Sequence, residues 1–120
     1  MKIMVIDDDP GSLRGMIMAL CLLGYDCDAF DNPNDALYYY SYEKYGAVIT
    51  DLRMLSMNGI QLMVAIHAID PSVSVIIVSG HADRRWAREA LDRGAIAFLE
   101  KPLDAGELSK ILDKSLAEYE

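Results

Sequence analysis

The stretch that decides the fold is AVITDLRMLSMNG, residues 47–59. Its first four residues form an apolar run with β-branched side chains, which predicts a short strand buried on both faces. The run stops at Asp51, and a loop then leads to a helix that begins at Asn58 or Gly59. A carboxylate in this place is either a solvated turn residue or part of a site, and its neighbours in the fold decide between the two.

The rest of the chain repeats the pattern of a short apolar run followed by a helix. Further strands are predicted at 3–6, 25–30, 73–78 and 97–100. The pairs Asp9-Pro10 and Asn32-Pro33 are typical of a helix start, with a capping side chain before a proline at the first helical position. Asp104 and Glu107 match a capping box. Five βα units predict one α/β domain with a parallel sheet covered by helices on both faces.

Helical periodicity also selects the inward faces of the third and fourth helices. The residues it selects are Leu62, Ala65, Ile66 and Ile69 on the third helix, and Ala87, Ala90 and Leu91 on the fourth. Asp83 precedes the fourth helix and is predicted to cap it.

Composition limits the classes of function. A chain of 120 residues is long enough for one domain with a substantial core. No apolar stretch approaches the ~20 residues needed to span a bilayer, so no membrane association is expected. The formal net charge of -8 argues against binding to nucleic acid, since phosphate backbones require a basic surface. The same charge suits a cation or a basic partner.

Polar residues follow four of the five predicted strands. Asp7 and Asp8 follow strand 1, Asp51 ends strand 3, Ser79 follows strand 4 and Lys101 follows strand 5. Right-handed crossovers place the carboxyl ends of parallel strands along one edge of the sheet, where ligands bind in such folds. The five side chains are therefore expected to converge.

This cluster has a definite chemistry. Carboxylates within ~5 Å repel by about 3 kcal/mol per pair at an effective dielectric constant near 20, so a site with three of them favours protonation or a bound cation. Oxygen ligands suit Mg²⁺. With a phosphoryl group present, the metal and Lys101 would neutralise its oxygens, Ser79 would donate a hydrogen bond, and Asp51 would be the nucleophile. The product would be an aspartyl phosphate.

The sequence resembles, over its whole length, a response-regulator receiver domain of the two-component signalling family. The matching features are the acidic cluster within 5–10, Asp51 with Met54, Met57 and Gly59 behind it, Ser79, and Lys101-Pro102 after Gly94-Ala95 and Phe98. Several motifs in register with five βα units make the resemblance specific.

The resemblance implies a flavodoxin-like sheet in the order 2-1-3-4-5; a receiver protein is one of the standard examples of that order. It implies Mg²⁺ (or Mn²⁺) held by Asp7, Asp8, Asp51 and the main-chain carbonyl of Arg53, and a cis peptide bond at Lys101-Pro102. The phosphoryl donor would be a histidine kinase or a phosphotransfer protein. We expect residues 1–120 to form one cytoplasmic receiver domain with no effector domain in this chain. It would not be an enzyme in the ordinary sense, because it catalyses only its own phosphorylation and dephosphorylation.

The resemblance also implies a switch. The residue at the position of Ser79 moves toward the phosphoryl group, and the aromatic at the position of Phe98 turns inward and reshapes the face made by helix 4, strand 5 and helix 5. Phe98 departs from the tyrosine that is usual there and offers no phenol O–H. Leu55 stands where the family usually has proline, which predicts a less rigid loop at 53–58 and a less firmly held Arg53 carbonyl.

Three further residues have two interpretations each. Arg53 and His81 lie two residues beyond Asp51 and Ser79, where family side chains tune the lifetime of the phosphoryl group; otherwise they are solvated surface residues. Trp86, with arginines around it on helix 4, is a candidate anchor for a partner, and Phe98 belongs to the same face. The alternative for Trp86 is a half-buried residue at the edge of the core. A phosphorylation-dependent homodimer is a candidate assembly, and the sequence specifies no downstream effector.

Three other functions share features with this sequence. A phosphohydrolase of the haloacid-dehalogenase type also uses acids after strand 1, as Asp7 and Asp9 are, but it requires Thr or Val where this chain has Gly11. A flavodoxin-type protein must cradle a phosphate at a loop where this chain has three aspartates, which would repel it. The remaining alternative is a pseudo-receiver, an interaction module that does not accept phosphate.

Overall fold

A computed structural model describes residues 2–40, 45–80, 83 and 85–119. In these ranges strands and helices alternate along the chain. The strands are β1 (Lys2–Ile6), β2 (Asp26–Phe30), β3 (Ala47–Asp51), β4 (Ser74–Ser79) and β5 (Ala97–Glu100). The helices are α1 (Pro10–Leu22), α2 (Pro33–Tyr40), α3 (Gly59–Ile69), α4 (Arg85–Asp92) and α5 (Ala105–Tyr119).

The strands form one parallel sheet in the order β2-β1-β3-β4-β5, as the resemblance predicted. Alternate residues of β3 enter the two cores on opposite faces of this sheet. Val48 packs in the core beneath α2, α3 and α4, while Ala47 and Ile49 pack in the core beneath α1 and α5. Every residue of β3 is buried, which is why the strand carries a continuous apolar run.

The helix starts explain how the chain leaves the sheet edge. The Asp9 carboxylate accepts the backbone N–H of Ser12 at 2.8 Å, so Asp9 caps α1 as predicted, with Pro10 in the first turn. The Asp104 carboxylate accepts the N–H of Gly106 at 2.8 Å at the start of α5. Such caps satisfy the free donors of the first helical turn and fix the direction in which each helix begins.

Some predicted details differ. β2 begins at Asp26 rather than Tyr25, and β4 begins at Ser74 rather than Val73. Ile69 and Leu91, both predicted to face the core, are each 47% exposed. Within the part of the chain that the structure describes, no helix is both long enough and apolar enough to cross a membrane.

Candidate functional site

Three carboxylates meet at the carboxyl edge of the sheet. Asp7 directly follows β1 and is fully buried, and Asp51 is the last residue of β3 and is 6% exposed. Asp8 lies beside them in the loop between β1 and α1. One oxygen from each carboxylate lies within 4.8 Å of the others. β1 and β3 are direct neighbours in the sheet, so their pairing brings Asp51 beside Asp7 and Asp8, which lie 44 and 43 positions earlier in the chain.

Lys101 brings a positive charge to this cluster from the far side of the sheet. Its backbone N–H donates to the carbonyl of Ser79 at 2.8 Å, which extends the β4–β5 pairing by one residue. Its Nζ lies 2.9 Å from Asp7 Oδ2 and 2.7 Å from Asp51 Oδ1. The peptide bond between Lys101 and Pro102 is cis, as the resemblance implied.

Burial and neighbouring charges shift the pKa of Asp51 and the pKa of Lys101. Burial raises the pKa of Asp51, and the nearby Asp7 and Asp8 carboxylates add to this increase, which outweighs the opposing hydrogen bond from Lys101. Burial lowers the pKa of Lys101, but its hydrogen bonds to Asp51 and Asp7 outweigh that loss, so the pKa lies above its usual value. Lys101 is therefore a firmly protonated cation beside a carboxylate that is costly to ionise.

The loop after β3 is tied to three other parts of the chain. The Arg53 guanidinium pairs with the carboxylate of Asp83, with Nε donating at 2.8 Å. The backbone N–H of Leu55 donates to Asp8 Oδ2 at 3.0 Å, and Asn34 Nδ2 donates to Ser56 Oγ at 3.0 Å. None of these three contacts was predicted from the sequence. Asp83 was predicted to cap the fourth helix, and the structure shows its carboxylate bound to the Arg53 side chain.

Gly59 lets α3 begin directly against the strand that carries Asp51. A Cβ at this position would lie 2.4 Å from the carbonyl oxygen of Asp51, closer than any side chain can approach. The helix start is fixed by a complete capping box between Asn58 and Gln61. The spacing of Asn58 and Gln61 is itself a capping-box signal in the sequence, beyond the helix start predicted at Asn58 or Gly59.

Ser79 and Phe98, the predicted switch residues, lie in adjacent strands. Ser79 is 1% exposed, and its hydroxyl donates to the carbonyl of Gly80 at 3.1 Å. Phe98 is half-buried in β5 and packs against the core beneath α2, α3 and α4. Phe98 pairs with Ile77 and Ser79 pairs with Glu100, so the two predicted switch residues are connected through the β4–β5 ladder.

Trp86 packs half-buried against that same core. It also lines a groove of about 250 Å³ together with Leu52, Arg53, Met54 and Asn58. The tryptophan thus adjoins the loop that follows the candidate phosphoacceptor. His81, predicted to tune the site, lies outside the described residues.

The residues of the cluster fit a divalent cation. The donors are oxygens, which suit Mg²⁺ rather than a softer metal. The Lys101 ammonium contacts the buried Asp7 and Asp51, and the more exposed Asp8 adds a third carboxylate, so negative charge is in excess at this edge. The raised pKa of Asp51 comes mainly from its burial, with a smaller contribution from the Asp7 and Asp8 carboxylates. Asp7, Asp8 and Asp51 could therefore hold the ion.

The strand order makes this a flavodoxin-like α/β domain. Its carboxyl edge carries a cluster of three aspartates and a lysine. The profile of the response regulator receiver domain family matches residues 3–113. The chain belongs to this family of two-component signalling proteins.

Relatives and solved structures agree with that assignment. Over 95% of its length the chain is 34% identical to the transcriptional regulatory protein GlrR of Escherichia coli, of which it covers 26%. Over 89% of its length it is 37% identical to the C4-dicarboxylate transport transcriptional regulatory protein DctD of Rhizobium meliloti, of which it covers 23%. A response regulator receiver domain protein from Clostridium thermocellum superimposes with a TM-score of 0.92 at 29% identity, covering 98% of this chain and 95% of that one. The chain thus spans about a quarter of the curated relatives it matches.

Proposed function

We propose that this receiver domain accepts a phosphoryl group on Asp51 in a reaction that requires Mg²⁺ or Mn²⁺. The observation that carries the proposal is the convergence of Asp7, Asp8 and Asp51 with the Lys101 ammonium at one edge of the sheet. The donor would be a phosphohistidine of a histidine kinase or phosphotransfer protein, in keeping with the receiver family.

The reaction transfers the group from nitrogen to oxygen. A carboxylate oxygen of Asp51 forms the new bond to phosphorus, the bond between phosphorus and the donor's histidine nitrogen breaks, and that nitrogen keeps the electron pair. The cation, held by Asp7, Asp8, Asp51 and the Arg53 carbonyl, would supply charge neutralisation for the phosphoryl oxygens.

The chain's own residues prepare this step. Lys101 already contacts Asp51 Oδ1, and it would move its hydrogen bond to a phosphoryl oxygen as the charge there develops. Burial leaves the Asp51 carboxylate poorly solvated, so little water has to be removed before it attacks. Hydrolysis later restores the carboxylate, and Arg53 and His81 are proposed to tune its rate by limiting the access of water.

The output is proposed to pass through Ser79 and Phe98. The Ser79 hydroxyl would leave the Gly80 carbonyl and donate to the phosphoryl group, and Phe98 would turn inward in the adjacent strand. The face made by α4, β5 and α5 then changes shape, with Trp86 as a candidate anchor for a partner. Leu91 and Ile96 on this face are 47% and 44% exposed, which suits a phosphorylation-dependent homodimer or an effector.

Because GlrR and DctD are transcriptional regulators, we propose a cytoplasmic location and a role in controlling an effector. The negative net charge of this domain argues against its own contact with nucleic acid.

Incubation with acetyl phosphate and Mg²⁺, followed by intact mass spectrometry, tests the proposal. The expected result is a gain of one phosphoryl group that disappears with a chelator and in Asp51→Asn. Asp31→Asn, a change at an exposed carboxylate after β2, is the matched control and should react like the unmodified chain. No adduct at any metal concentration would contradict the proposal and favour a pseudo-receiver.

A further inference from the structure

The hydrogen bond from the Leu55 backbone to Asp8 links two loops that are 47 residues apart in the chain. The carboxylates of Asp7 and Asp51 are oriented by Lys101. Asp8 is oriented instead by a main-chain donor, because the N–H of Leu55 lies 3.0 Å from its Oδ2. A carboxylate has two oxygens, so one can accept this N–H while the other stays open to a cation.

The donor is held in place by the loop around it. The N–H of Met57 donates back to the carbonyl of Leu55 at 2.9 Å, which closes a tight turn at this point. Ser56 within the turn has a φ of 72°, in the left-handed region, and its hydroxyl accepts a hydrogen bond from Asn34. The Leu55 N–H is thus directed at Asp8 by a turn that is anchored to α2.

We infer that Leu55 is a positioning residue whose backbone N–H holds the Asp8 carboxylate for the divalent cation. The inference rests on the proposed function and deepens it, because it names a hydrogen bond that orients one of the proposed metal ligands. Ligating carboxylates in metal sites are commonly fixed by such hydrogen bonds, and losing one weakens metal affinity on the order of tenfold or more. The side chain of Leu55 is not required, because it is 83% exposed.

The test compares Leu55→Pro, which removes the N–H, with Leu55→Ala, which keeps it and removes only the exposed side chain. Mg²⁺ affinity is measured by the fluorescence of Trp86, the single tryptophan of the chain, which lines a groove beside Arg53 and Met54. We expect Leu55→Pro to bind Mg²⁺ on the order of tenfold more weakly and Leu55→Ala to match the unmodified chain. Equal affinity in all three, or an equal loss in both variants, would overturn the inference.

Hydrogen exchange of the Leu55 amide in the metal-free protein gives a second readout that needs no substitution at position 55. The amide should be protected in the unmodified chain and in Asp31→Ala, and it should exchange several-fold faster in Asp8→Ala. Equal exchange in all three would contradict the inference even if Leu55→Pro fails to fold.

The two proposals fail in different ways. An unmodified chain that binds no Mg²⁺ and takes up no phosphoryl group contradicts the proposed function itself. If the unmodified chain binds Mg²⁺ and is phosphorylated, and Leu55→Pro binds Mg²⁺ with the same affinity, only the role of the Leu55 N–H is contradicted.

Discussion

Gly59 controls the geometry of the site through the side chain that it lacks. The first turn of α3 rests on the carbonyl of Asp51, and any Cβ at position 59 would overlap that oxygen. Moving α3 outward to relieve the overlap would also shift the loop at 52–58, since the N–H of Gly59 donates to the carbonyl of Leu52 at 2.8 Å.

We expect Gly59→Ala to lower the free energy of unfolding by about 1–3 kcal/mol because of this overlap. Urea denaturation measures the change. Gly15→Ala is the matched control, since a Cβ there would meet no atom within 4 Å, and it should gain up to about 1 kcal/mol from improved helix propensity. Equal effects of the two substitutions would mean that the close approach of α3 to Asp51 is not tight.

Asp51 reduces the stability of the metal-free fold when it is ionised. The pKa of Asp51 in the folded state lies above its pKa in the unfolded chain. The ionised carboxylate therefore lowers the free energy of unfolding at pH values above the folded-state pKa. This loss disappears when the pH falls below the unfolded-state pKa. Asp51→Asn removes the charge and retains the size of the side chain. Without Mg²⁺ we expect this variant to be more stable than the unmodified chain at pH 7, with a difference that shrinks on acidification. Thermal unfolding from pH 7 to pH 3 measures it, and a less stable variant at pH 7 would contradict the pKa argument.

At the scale of elements, α2 and α3 are joined at their carboxyl ends by a buried hydrogen bond. The hydroxyl of Tyr40, the last residue of α2, donates to Asp70 Oδ2 at 2.8 Å, and Asp70 caps the end of α3. Both residues are largely buried, with Tyr40 3% exposed and Asp70 9% exposed. The bond therefore fixes how the two helices pack beneath the sheet.

Tyr40→Phe should lower the free energy of unfolding by about 1.5–3 kcal/mol, because it removes a donor to a buried carboxylate. Tyr39→Phe is the control on the same helix, at a tyrosine that is 52% exposed, and it should change stability by less than about 0.5 kcal/mol. Chemical denaturation of the two variants side by side checks the difference. If Tyr40→Phe lowered the free energy of unfolding no more than Tyr39→Phe, the Asp70 carboxylate would not need the hydrogen bond from the Tyr40 hydroxyl.

Ile69 and Leu91 are exposed because of where they lie on their helices. Leu91 lies about 100° around α4 from Ala90, the buried residue of that helix, which places Leu91 at the edge of the inward face. Ile69 is the last residue of α3, where the helix ends and the chain turns back into β4. Periodicity identifies the apolar side of a helix, but the tilt of the helix on the sheet decides how far along that side burial extends.

At the scale of the whole molecule, binding of a cation to the folded state alone should raise the stability of the entire domain. Mg²⁺ at a hundred times its dissociation constant would add about 2.7 kcal/mol, which corresponds to an increase of about 10 °C in Tm for a domain of this size. Differential scanning calorimetry with and without Mg²⁺ measures this increase. Asp8→Asn should lose most of it and Asp31→Asn should keep it, with Na⁺ at equal ionic strength as the control for charge screening. An equal increase in both variants would place the ion elsewhere.

Much of the fold follows from the sequence because it depends on local signals. Alternating strand and helix patterns, proline and aspartate at helix starts, and apolar runs that end in polar residues predicted the units of the sheet and, with the receiver resemblance, their order. The convergence of Asp7, Asp51 and Lys101 was also predicted, since the topology of parallel sheets places strand ends together.

The contacts among loops could not be predicted. The pairing of Arg53 with Asp83, the donation from Leu55 to Asp8 and the tether from Asn34 to Ser56 depend on backbone directions that neither composition nor periodicity specifies. The proline-free loop was expected to be less rigid, and that expectation is untested. The structure nevertheless gives position 55 a donor that proline lacks.

The sequence by itself determined the family, the order of elements and the residues of the acidic site, because strand pairing turns a linear pattern of residues into neighbours along one edge. Only the tertiary structure decided which oxygen each donor contacts, how closely α3 approaches Asp51 and which apolar side chains remain at the surface. These features depend on distances of a few tenths of an ångström between segments far apart in the chain, and such distances are set by the packing of the whole domain.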